Sequence, residues 1–287
     1  MTTNTAPPNT VLRYTAFSAT PEGGNPAGVV LDARGLTDED QLRIAAEVGY
    51  SETAFLTPGD TERTFTVRYF SPEAEVDFCG HATIAAAVAL GDRIGPGELL
   101  LHSPVGEIPV TVETAADGSP YATLSSVATR SEPVAEDELT EALAALGWAA
   151  DELDPAIPPR IAFAGNRHLV VAAATRARLA DLDYDFERLK TQMLRLGLTT
   201  VQLVWRESAS VFHVRDPFPV GGVVEDPATG AAAAAFAGYA REAGLVPAEA
   251  RLTLHQGADM GRPGVLTVEL RPDDSRTHVS GTATRIP

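Results

Sequence analysis

The sequence predicts an α+β fold of two similar halves, each a curved β-sheet wrapped around one central buried helix. Three observations lead there. Residues 77–90 and 226–239 share one pattern, a glycine-bearing turn that opens directly into an alanine-rich helix. A helix built of Ala, Val, Ile and Leu has no polar face, so other elements must cover it on every side. The flanking sequence is rich in short β-branched and aromatic runs, several of them alternating, which supply that cover as strands.

In chain order, strands are expected at 11–17, 64–70, 98–102, 121–124, 168–172, 200–205, 211–214, 251–255 and 265–270. An amphipathic helix starts at Thr37, carries Leu42, Ala45 and Ala46 on one stripe, and stops at Gly49. The first apolar helix is closed by Gly91, and the second continues to Gly244. Leu139, Leu143 and Leu146 mark another helix that ends at Gly147, and the acidic, proline-rich segment 149–159 reads as a loop. The boundary between the halves is placed near Arg130, giving 1–130 and 131–287, with the last strand, 277–287, able to return to the first half. A cleft between two such halves is the usual place for a small-molecule site.

Composition narrows the function. The 287 residues hold 22 Lys plus Arg against 39 Asp plus Glu, a formal charge of −17, whose field repels nucleic acid and anionic membrane surfaces. No apolar run reaches the length of a membrane helix, and the first ten residues lack the basic and apolar parts of a signal peptide. A single cysteine, Cys79, excludes an internal disulfide and a Cys-x-x-Cys zinc site, so a reducing cytoplasm is expected. Dinucleotide, P-loop, serine-hydrolase and zinc-protease motifs are all absent, and His102, His168, His213, His255 and His278 are scattered among strand-like runs as packed or surface residues.

The candidate chemistry gathers at the two helix starts. The first N–H groups of a helix lack intrahelical partners and carry partial positive charge, so two such ends, relieved of side chains by Gly80 and Gly230, can hold a carboxylate without lysine or arginine. The same glycines also suit plain tight turns. Asp226, ahead of Pro227, is either a carboxylate at the helix mouth or an N-cap. His81, in a first turn, stays neutral and offers a hydrogen bond to substrate, or is a structural histidine. Glu52 lies between a helix stop and an apolar strand. It is either a solvated turn residue or, buried beside Phe55 and Leu56, a base of raised pKa. Cys79 reads as a small buried hydrophobe or as a thiolate favoured by the helix start.

Four segments, 24–30 (GNPAGVV), 50–55 (YSETAF), 77–83 (DFCGHAT) and 225–230 (EDPATG), with the closing run 256–264, resemble the PhzF-like family, which shares the diaminopimelate epimerase-like fold. The resemblance implies that Glu52 is the proton-transferring carboxylate, that Asp226 faces it, and that His81 helps to hold the substrate. It also implies a pocket lined by Asn25, Ser51, Gly80 and Gly230, no cofactor, no metal, and a homodimer. Ala231 stands where the phenazine enzyme's pattern has serine, so a hydroxyl contact to substrate is lost. The racemases of this fold use two facing cysteines, but Asp226 occupies the position opposite Cys79. A carboxylate is a weak base, so Glu52 needs a delocalised carbanion, which favours double-bond migration on a small unsaturated carboxylate. The alternatives are an epimerase using Cys79 with Asp226 and a silent small-molecule binder.

Overall fold

The computed structural model describes residues 9–115 and 118–287. It is a mixed α/β fold, rich in strands and with few helices, that divides into two compact units. The first ends at Ser125 and takes in Ser280–Pro287; the second is Ser126–Val279. Among the described residues, no helix is long and apolar enough to cross a membrane.

The strands of the first unit are β1 (Val11–Ala16), β2 (Asn25–Val30), β3 (Glu52–Pro58), β4 (Thr64–Phe70), β5 (Glu75–Val76), β6 (Gly97–Ser103), β7 (Gly106–Thr114) and β8 (Pro120–Ser125). Their ladder runs β1–β2–β3–β4–β6–β7–β8, with parallel pairing at β2–β3 and β4–β6 and antiparallel pairing at β1–β2, β3–β4, β6–β7 and β7–β8. The final strand, β17 (His278–Arg285), pairs with β8 and with β1, so the sheet closes on itself like a barrel.

Helix α2 (Gly80–Ile94) packs against β1, β2, β3, β7 and β8, and every residue from His81 to Leu90 is buried. This is the burial that an all-apolar helix demands. It does not stop at Gly91, as its sequence suggests, but continues for three residues to Ile94. Gly91 is instead a point of close approach, where a Cβ would come 2.7 Å from Val112 Cγ1. Helix α1 (Asp38–Val48) begins in a reciprocal capping box, in which Thr37 Oγ1 accepts the Asp40 N–H and Asp40 accepts that of Thr37. Its buried face is Gln41, Ile44 and Ala45, with Ile44 and Ala45 meeting Phe55 and Phe70 in one apolar cluster; of the expected stripe, Ala45 is buried, Leu42 packs half-buried against that cluster, and only Ala46 is exposed. Ala46 costs nothing at the surface.

The second unit holds β9 (Arg130–Pro133), β10 (Arg160–Phe163), β11 (Arg167–Ala172), β12 (Thr200–Arg206), β13 (Val211–Phe218), β14 (Val223–Asp226), β15 (Ala250–Gln256) and β16 (Gly264–Leu270). The ladder runs β9–β10–β11–β12–β13–β15–β16, parallel at β11–β12 and β13–β15, and β14 pairs antiparallel with β13. Helices α3 (Glu136–Leu146), α4 (Arg176–Ala180) and α5 (Phe186–Leu196) contribute Leu143, Leu146, Leu179, Leu189 and Met193 to one apolar cluster. Segment 149–159 is not wholly loop: it carries a 3-10 turn at Ala150–Glu152 and a bridge from Leu153 to Ala173. Helix α6 (Gly230–Glu242) is buried at Gly230 and from Ala232 to Ala240, and packs against β9, β10, β11 and β16.

Candidate active site

In the first unit the parallel β2–β3 pairing sets Ala27 opposite Glu52, which brings the start of β2 beside the start of β3. The third contributor is the start of α2, where Cys79 is the N-cap residue in extended conformation and makes no side-chain cap. Its carbonyl is held by the backbone N–H and the hydroxyl of Thr83, at 3.0 and 2.7 Å, and Tyr69 contacts that hydroxyl at 2.6 Å. Burial holds the Tyr69 phenol well above its ordinary pKa, so it stays protonated.

His81 is the hub of this group. Its Nδ1 lies 3.3 Å from Asn25 Nδ2 and 3.3 Å from Cys79 Sγ, while its Nε2 lies 3.4 Å from Ser51 Oγ and 3.4 Å from Glu52 Oε2. Asn25, Cys79 and His81 are buried, Glu52 is half-buried, and Ser51 is exposed. Glu52 Oε2 is itself shielded from solvent and has no hydrogen-bond partner among the described residues. A carboxylate oxygen left without a donor is uncommitted and desolvated, the condition for a proton acceptor rather than a structural anchor. Asn25, Ser51, Glu52 and His81 are therefore brought together, with Gly80 as the first residue of α2 beside them in sequence.

In the second unit Asp226 ends β14 and is buried. It is not the N-cap of α6. That position belongs to Thr229, whose hydroxyl turns back to donate to Asp226 Oδ2 at 2.5 Å. Gln256 then ties down the Asp226–Thr229 turn: its Oε1 accepts the Thr229 N–H at 2.9 Å, and its Nε2 donates to Asp226 O and to Thr229 Oγ1, both at 2.9 Å. Gly257 follows with φ +79°, and a Cβ there would meet Pro227 O at 2.7 Å, so only glycine lets this turn close upon the Gln256 strand. Gly230 opens α6 buried, and Ala231 behind it is half-buried.

Sequence reasoning missed the groups behind Asp226. Asp216 of β13 is its register partner and has no exposed surface. Thr200 Oγ1 donates to Asp216 Oδ1 at 2.8 Å and lies 2.8 Å from His168 Nδ1. With the hydroxyl proton directed to Asp216, His168 donates from Nδ1, which leaves Nε2 as a buried lone pair without a partner among the described residues. Burial pushes the Asp216 carboxyl well above the usual range; the nearby Asp226 and Glu225 charges add to this, while the Thr200 bond opposes it. Burial alone pulls His168 down to about 3, so its imidazole is neutral at pH 7. Glu225 is neutralised separately by a buried two-pronged pair with Arg215, at 2.9 and 2.5 Å. The one sequence signal for this network was Arg215-Asp216, a charged pair inside an otherwise strand-like run.

Comparisons with known proteins give the family. Residues 14–286 match the PhzC-PhzF family, described as phenazine biosynthesis-like protein. The chain is 32% identical over 278 residues to an uncharacterized isomerase of Deinococcus radiodurans, covering 95% of this chain and 90% of the relative. It is 31% identical over 275 residues to the trans-2,3-dihydro-3-hydroxyanthranilate isomerase of Pseudomonas chlororaphis, covering 93% of each. Among solved structures, the Bacillus anthracis phenazine biosynthesis protein of the PhzF family superposes with TM-score 0.87 at 27% identity, over 96% of both chains. A hydroxyproline epimerase from Agrobacterium vitis shares the fold at TM-score 0.65 and 12% identity, over 96% of this chain and 90% of that one. The chain belongs to the PhzC-PhzF family of phenazine biosynthesis-like proteins, and it is an isomerase.

Proposed function

We propose that this isomerase moves a proton, and with it a double bond, on a small unsaturated carboxylate, using Glu52 as the base and no cofactor. The observation that carries the reading is the buried Glu52 Oε2, which has no hydrogen-bond donor among the described residues and stands 3.4 Å from His81 Nε2. In the reaction, Glu52 takes a proton from an allylic carbon, the C–H electron pair enters the conjugated system, and the Glu52 carboxylic acid, whose O–H exchanges with solvent, delivers a proton to the distal carbon. Delocalisation over the alkene and carboxylate lowers the carbanion to within reach of a carboxylate base. Asp226, held by Thr229, positions the substrate or serves as the opposite proton partner, so the reading requires both residues to meet one substrate. The helix start at Gly80 supplies N–H groups for the substrate carboxylate.

The P. chlororaphis relative's name suggests a dihydroaromatic acid, and Ala231, which offers only a backbone N–H, argues for a variant of that substrate lacking a hydroxyl-dependent contact. The enzyme is read as a cytoplasmic homodimer. A second reading, epimerisation by Cys79 with Asp226, is favoured by the 3.3 Å approach of Cys79 Sγ to His81 Nδ1. Small unsaturated carboxylates incubated with the enzyme in deuterated water separate the two. Deuterium at a new position with a shifted double bond supports migration, and exchange at a stereocentre with no shift supports epimerisation.

A further inference from the structure

Cys79, His81 and Glu52 have a second capability that proton transfer does not use. Each offers one metal-ligating atom, and the three atoms lie within 4.8 Å of one another. A tetrahedral zinc ion with bonds of about 2.0 Å to nitrogen and oxygen and about 2.3 Å to sulfur sets its ligand atoms roughly 3.3–3.6 Å apart. Here His81 Nε2 is 3.4 Å from Glu52 Oε2 and 3.8 Å from Cys79 Sγ. Two of the three pairs are thus within a few tenths of an ångström of that geometry, and the third, the Glu52 carboxylate to Cys79 Sγ, lies within 4.8 Å and closes by rotation of the two side chains.

The donor set also selects the ion. One sulfur, one imidazole and one carboxylate suit a thiophilic divalent cation such as Zn²⁺ and are poor for Mg²⁺ or Ca²⁺, which require oxygen. Glu52 Oε2, desolvated and without a hydrogen bond, gains the partner it lacks. Asn25, 3.3 Å from His81 Nδ1, stands where it can orient a ligating imidazole, accepting from Nδ1–H through its amide oxygen once the amide is turned over. The start of α2 carries partial positive charge and opposes a cation, but the two anionic donors outweigh it, and the whole chain carries −17.

We propose that Glu52, Cys79 and His81 form a three-ligand site for Zn²⁺, and that zinc bound there switches the isomerase off by occupying the proton-accepting oxygen of Glu52. Binding releases the thiol proton to solvent as the Zn–S bond forms, so affinity rises with pH. The fourth position is left to water or to a substrate carboxylate. The inhibitory half rests on Glu52 being the base; the binding half does not.

Cys79 is the chain's sole cysteine, so its alkylation reports this site alone without any substitution. One equivalent of Zn²⁺ is expected to slow alkylation of the native full chain at least tenfold, with chelator restoring the rate. Co²⁺ as probe is expected to give a thiolate-to-metal charge-transfer band that Zn²⁺ displaces and that Cys79→Ser abolishes. Unchanged alkylation, or Co²⁺ binding without the charge-transfer band, overturns the site and leaves the proton-transfer reading standing. Zinc that protects Cys79 at one equivalent yet leaves deuterium exchange of a turned-over substrate at full rate overturns the inhibition, and removes Glu52 from the mechanism.

Discussion

Thr229 donates its hydroxyl to Asp226 at 2.5 Å while the same oxygen accepts from Gln256 Nε2 at 2.9 Å. The direction of the Asp226 carboxylate is thus set by a residue outside the helix it precedes, and the turn is braced from β15. Thr229→Val keeps the shape, loses the hydrogen bond to the carboxylate and removes one of the acceptors of Gln256 Nε2. Turnover is expected to fall about 10- to 100-fold, the equivalent of a charge-assisted hydrogen bond of roughly 1.5–3 kcal/mol. Thr229→Ser should restore most of it. Steady-state kinetics on the three proteins checks this; equal rates for Val and Thr would show that Asp226 needs no such support.

Glu52→Gln keeps size and hydrogen bonding but removes the basic oxygen. Ligand affinity is expected to survive, while turnover falls by at least the 10²–10⁴-fold that general acid–base catalysis contributes. Cys79→Ala is expected to keep at least about a tenth of the wild-type rate, since the thiol only borders the proton path. Should the Ala protein lose as much as the Gln protein, the thiol reading takes first place.

His168 predicts a pH limit on stability. Its imidazole is held neutral in the folded chain down to about pH 3, whereas the unfolded chain takes up the proton near 6.5. Between those values the unfolded state binds more protons, so stability present above 6.5 is lost progressively as pH falls toward 3. For a wholly buried group the loss amounts to several kcal/mol. Urea unfolding of His168→Gln from pH 7 to pH 4 should show a flatter profile than wild type. Parallel profiles would mean that His168 does not govern acid sensitivity.

Asp216 acts in the opposite sense. Its folded-state carboxyl titrates well above the ordinary 3.8, so above that value the folded chain holds a proton that the unfolded chain has released, and stability falls as pH rises. Asp226 and Glu225 face it and strengthen the effect. Asp216→Asn still accepts the Thr200 hydroxyl and has no proton to lose. Its stability relative to wild type is expected to improve as pH rises through and beyond the ordinary carboxylate range. An unchanged difference across that range would show the carboxyl ionised in the native protein.

The sequence by itself determined the two apolar helices, because residues 81–90 and 232–240 have no face that can meet water. It also determined most strands that cover them and the placement of Gly80, His81, Gly230 and Ala231 at the helix starts. Helix ends were less legible: Gly91 reads as a stop, yet Val112 uses its bare Cα as a contact surface, which is invisible in a linear chain. Only the tertiary structure decided that Asn25, Ser51, Glu52 and Cys79 converge on His81. Three elements far apart in sequence meet there through a parallel β2–β3 register. Likewise only the tertiary structure placed Thr200, His168 and Gln256 behind Asp226, as partners from three strands. The reason is physical: periodicity reports which side of an element is buried, whereas the protonation and direction of a polar group depend on which distant donors pack against it.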